Sequence, residues 1–76
     1  MNDVAKQVKG IVRDEVGEFV GQITVRKNCE LIGASEEELS YNHLPELAVK
    51  IERFVAFYCG SESGSVVCDR IMALQP

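Results

Sequence analysis

The chain has 76 residues, 46% hydrophobic and 26% charged, and eight Lys and Arg against twelve Asp and Glu leave a net charge of −4. That length makes one small domain, residues 1–76, with too little buried surface for a two-domain cleft or a doubly wound nucleotide-binding sheet. The apolar content excludes disorder, and no apolar run approaches the ~18 residues of a membrane span. Basic residues are scattered and outnumbered, so neither nucleic acid nor a membrane is expected as a partner. Met1-Asn2-Asp3-Val4 lacks the basic and apolar regions of a secretory signal. With that start, the odd number of cysteines (Cys29, Cys59 and Cys68) reads as reduced thiols of a cytoplasmic protein.

Val4, Val8, Ile11, Val12 and Val16 fall on one stripe of a first helix. Asn2 or Asp3 can cap its start, and Gly17 follows it as a C-terminal glycine would. Gly10 in its interior costs about 1 kcal/mol relative to alanine, which suggests a close helix contact or simple tolerance. Residues 19–32 fit two patterns. Ile23 and Val25 alternate as in a strand, but a lone strand has no partner, so a second helix ending at Gly33 is expected.

Ser35-Glu36-Glu37-Glu38 has the form of a capping box that closes one short turn before Leu39. The strongest segment opens at Leu44-Pro45, where proline suits a first helical turn. Leu44, Leu47, Ala48, Ile51, Phe54, Val55, Tyr58 and Cys59 then fill a stripe about 140° wide. Leu47, Ile51, Phe54 and Tyr58 are therefore expected in the core. Gly60 ends this helix, and a loop over 60–65 leads to a last short helix over 65–74, capped by Ser63 or Ser65. No internal repeat is evident. The expected fold is all-α: a compact bundle of about four helices plus a one-turn element, with the third helix longest and central.

Several residues have a chemical reading beside a structural one. Cys29, Cys59, Cys68 and His43 contain the residue types of a zinc or redox site, but no close ligand pair such as C-x2-C. Cys59 and Cys68 fall on apolar stripes, so they read as core thiols. His43 has no nucleophile at a recognisable spacing and, beside Asn42, suits a helix start. Glu36, Glu37 and Glu38 point about 100° apart and read as a solvated cap.

The opening Val8-Lys9-Gly10-Ile11-Val12 and the approach Leu31-Ile32-Gly33-Ala34-Ser35 are similar to acyl carrier proteins. That resemblance implies a phosphopantetheine attachment at Ser35. The family's Asp-Ser-Leu is absent, since Ala34 precedes and Glu36 follows, and Pro45 interrupts the region of its recognition helix. Leu39-Ser40, Leu44-Pro45 and Leu47-Ala48, preceded by Cys29-Glu30-Leu31-Ile32-Gly33, also resemble a small helical module of prokaryotic proteins. This resemblance implies a fold and no activity.

Val49 and Phe57 lie outside the main stripe of the long helix, and the run Phe54-Val55-Ala56-Phe57-Tyr58-Cys59 carries no charge. A helix apolar nearly all round is covered on more than one side. The sequence thus reads as a non-enzymatic helical interaction or regulatory module without cofactor or metal. It would bind a protein partner or a second copy of itself through residues 44–59, with Val49 and Phe57 as the candidate interface. The alternatives are an acyl-carrier-like domain modified on Ser35 and a thiol-based redox or zinc protein.

Overall fold

A computed structural model describes residues 2–74. Asn2 caps the first helix, α1 (Asp3–Val16): its Oδ1 accepts from the Ala5 amide at 2.8 Å. The same side chain donates to the Leu39 carbonyl at 2.7 Å and the Glu37 carbonyl at 3.1 Å, tying the helix start to the central loop. One residue, Gly17, separates α1 from α2 (Glu18–Leu31). Its φ of 90° is open to glycine at little steric cost, so the chain reverses without a loop.

The helical reading of residues 19–32 holds, and the ambiguity of their pattern has a physical source. Thr24 and Asn28 face the core although polar. Thr24 Oγ1 donates to the Val20 carbonyl at 2.7 Å, and Asn28 Nδ2 to the Thr24 carbonyl at 2.7 Å. Each buried donor is thus satisfied by its own helix.

Ser35 and Glu38 form the expected reciprocal box around a single turn. The Glu38 amide donates to Ser35 Oγ at 3.3 Å, and the Ser35 amide to Glu38 Oε1 at 3.3 Å. A 3₁₀ turn, Tyr41–His43, then leads into α3 (Leu44–Cys59), with Pro45 in its first turn. At 16 residues, about 24 Å, α3 is the longest helix of the described residues. Among the described residues there is no strand, and the molecule is a bundle of four helices.

The last helix, α4 (Ser61–Met72), starts earlier than expected. Gly60 has a φ of 106° and alone makes the reversal, so residues 60–65 are a hinge and a first turn rather than a loop. Gly60 occupies the cap position, and neither Ser63 nor Ser65 does.

The two glycine hinges expose an internal repeat that was not evident in the sequence. Residues 4–31 align with residues 47–74 at a constant offset. Val4, Ala5, Val8 and Val12 of α1 are buried, and so are their counterparts Leu47, Ala48, Ile51 and Val55 of α3. Gly17 matches Gly60, and Gly21 matches Gly64. Both of the latter are buried where a Cβ would press on the preceding helix. Thr24 and Asn28 match Val67 and Ile71, all buried. Only five of the 28 pairs are identical, because packing preserves size and face rather than residue type. The bundle is therefore two like αα-hairpins packed together.

The core differs from expectation at three places on the long helix. Leu47 and Ile51 are fully buried, but Phe54 is 37% exposed and Tyr58 55%. The buried residues Leu44, Leu47, Ala48, Ile51 and Val55 occupy only about 100° of arc, so Phe54 and Cys59 lie at its edges. Tyr58 has the right angle but sits in the last turn, where the bundle leaves it uncovered. Cys59 is likewise exposed and Cys68 half-buried, so neither is a core thiol. Cys29 is the buried one.

Candidate functional site

The feature that the core does not account for is the outer side of α3. Phe57 is 90% exposed, and Val49 is exposed as well. Both candidate interface residues therefore stand outside the core. Phe54 and Tyr58 join them: four residues apart, their rings stack with centroids 5.9 Å apart and planes 11° from parallel. The Cys59 thiol meets the Glu15 carbonyl at 3.7 Å. That contact brings the α1–α2 turn to the end of α3, so the exposed Phe19 lies at the same end of the bundle. Phe54, Tyr58 and Phe19 were missed as surface residues. The usable signal was the uncharged run at residues 54–59, wider than one packed stripe.

The internal repeat supplies a comparison within the chain. Phe57 and Tyr58 occupy the places that Asp14 and Glu15 hold in the first hairpin. The same backbone position accepts carboxylates there. Packing of the hairpin does not call for aromatic rings at these two positions.

The residues with chemical alternatives are dispersed. Ser35 is exposed, and its hydroxyl donates to Glu38 Oε1 at 3.0 Å. It follows the end of α2, and the next α-helix begins only at Leu44. His43 Nδ1 accepts from the Ser40 amide at 3.1 Å, which completes a box around the 3₁₀ turn. Glu36 is not a freely solvated cap residue, because Lys9 Nζ lies 2.8 Å from its Oε1. Among the described residues, no group of three or more His, Cys, Asp and Glu is placed to hold a metal ion. No helix of the described residues is long and apolar enough to cross a membrane.

The thiols differ in setting. Burial pushes the Cys29 thiol up from its usual value, the Glu36 carboxylate adds to this, and Lys9 opposes it. Burial also raises Cys68, with Glu52 beside it contributing in the same direction. A thiol reacts as its thiolate and only where reagent can reach it. Titration of the native protein with an aromatic disulfide reagent should therefore show Cys59 reacting first, Cys68 more slowly, and Cys29 only on unfolding. A Cys29 that reacts as fast as Cys59 would contradict the buried placement.

No known protein family, curated protein or solved structure matches the chain.

Proposed function

We propose that this chain is a non-enzymatic helical interaction module that self-associates through the outer face of α3, residues 44–59. The observation that carries this reading is Phe57, 90% exposed beside the stacked Phe54 and Tyr58. An aromatic side chain offers about 150–250 Å². Phe54, Phe57 and Tyr58 together leave roughly 350 Å² of side chain open, and Phe19 about 150 Å² more, with Val49 on the opposite flank of the helix. Two copies would then bury about 1,000 Å², the lower bound of a specific interface. Association of that size is weak and depends on concentration, as suits a module regulated by its own abundance or by a partner that competes for the same face.

Sedimentation equilibrium across a range from low to high micromolar tests the reading. The parent chain should shift from monomer towards dimer, whereas Phe57→Ser should remain monomeric with an unchanged helical spectrum and melting temperature. A parent that stays monomeric throughout rules out self-association, and a Phe57→Ser that still dimerises rules out this face.

A further inference from the structure

Five of the six glycines have a reason in the backbone. Gly17, Gly33 and Gly60 hold positive φ, and Gly21 and Gly64 lie where a Cβ would crowd a neighbouring helix. Gly10 has neither reason. A Cβ there would meet nothing nearer than Arg13 Nη2 at 3.8 Å, an ordinary contact. Its counterpart in the second hairpin is Arg53, so the same place in the fold accepts a long side chain. Glycine in a helix interior weakens the helix, and packing does not ask for it here.

Gly10 is the floor of a groove. A shallow depression, open to solvent and holding about 470 Å³, lies between the outer side of α1 and the end of α4. Lys6 and Arg13 stand one turn away from Gly10 on either side, with Ile11 and Leu74 as apolar wall. Arg70 and Asp14 border it too, paired with each other at 3.0 Å, so their charges offset and Lys6 and Arg13 remain. A recess of about 200 Å³ towards α2 shares Lys6, Gly10 and Arg13, and also touches Lys9 and Glu18. Lys9 is engaged by Glu36. Among the described residues Lys6 and Arg13 have no ion pair. Two unpaired cations thus flank one bare turn of helix in a chain whose net charge is −4.

We propose that this groove binds a small phosphate monoester with an apolar organic part. The guanidinium of Arg13 presents a planar fork that matches two phosphate oxygens, and Lys6 supplies a second point charge, so a dianion is neutralised. The depression offers more space than a bare phosphate fills, so an organic part of the ligand would lie along it. The remaining space borders Leu74, which is partly exposed, and the edge of the otherwise buried Ile11, and these suit an apolar body. With no side chain at Gly10, the Arg13 guanidinium lies low over the helix, 3.8 Å from where a Cβ would be, so a ligand that it holds is brought close to the helix surface. This site is separate from the aromatic face of α3 and stands or falls independently of it.

Titration of the full chain with phenyl phosphate, followed by amide chemical shifts at constant ionic strength, tests the proposal. Saturable shifts confined to residues 6–14 and 70–74 are expected, with a dissociation constant on the order of 1 mM or tighter. Lys6→Gln and Arg13→Gln should each weaken binding about tenfold, the loss of one charge-assisted contact. Benzoate and inorganic phosphate, each lacking one half of the ligand, should bind about tenfold more weakly. Gly10→Ala should raise the melting temperature by ~3–6 °C and still weaken binding several-fold. A loss of binding in a more stable variant cannot come from unfolding. Shifts that do not saturate, or binding unchanged in Lys6→Gln, Arg13→Gln or Gly10→Ala, would overturn the proposal.

Discussion

Replacing Ile51 with alanine is expected to leave much of the chain unfolded at physiological temperature. Ile51 is fully buried on the central helix, with Leu47 and Val55 one turn away on either side. Truncating such a residue costs about 2–5 kcal/mol, from lost transfer energy and the cavity left behind. A domain of this size has only ~4–8 kcal/mol to lose. Phe57→Ala is the contrast, since a ring 90% exposed contributes little to the fold. Its stability should stay within about 0.5 kcal/mol of the parent. Phe54→Ala should fall between, at ~1–2 kcal/mol, because that ring sits at the rim of the core. Urea unfolding of the three variants, followed by helical signal, gives the ranking directly. An Ile51→Ala that melts within about two degrees of the parent would mean the buried face of α3 is wrongly placed.

The second large effect is expected at Gly64. A Cβ there would lie 2.9 Å from the Glu52 carbonyl oxygen and 3.0 Å from the Ala56 Cβ. The crowding involves backbone, which cannot turn aside as the tip of a side chain can. Gly64→Ala gains about 1 kcal/mol of helix propensity, but overpacking of this kind costs roughly 1–3 kcal/mol, so a net loss is expected. Gly64→Val adds two methyl groups to the same gap and should lose about 2–3 kcal/mol. It should also drive α4 away from α3. Gly21, its counterpart, meets the Arg13 Cα at 3.2 Å, so Gly21→Ala should lose less than Gly64→Ala. Thermal melts of the Gly10, Gly21 and Gly64 alanine variants make an internal test, with a rise at the first and falls at the other two. A rise at Gly64 would show that the helices have room that the close approach denies.

These two positions mark where sequence reasoning stopped. Ile51 was legible as core because it sits at the centre of the periodic stripe. Gly64 lies in a run of serines and glycines, which has the composition of a loop. In the structure the first of those glycines makes the whole turn, and the second lets two helices touch. Composition could not separate these roles, because both use the absence of a side chain for different ends.

The candidate face divides in the same way. Val49 and Phe57 were visible from their angles on the long helix, which depend on that helix alone. Phe54 and Tyr58 were not, because their exposure depends on where the other helices end.

The sequence by itself determined the elements that rest on short-range physics. The apolar period of α1 and α3, proline in the first turn of α3, Asn2 as a possible cap, and the Ser35–Glu38 box all act within a few residues of chain. Local energetics specifies them, and the structure has each one. Only the tertiary structure decided which part of each stripe is covered, that the two halves are like hairpins, and that Gly10 alone is not required by the fold. Those properties arise between segments distant in the chain. A helix shows its apolar face in its sequence, but the width of that face its neighbours cover is set by their position, and here two single-glycine hinges set it.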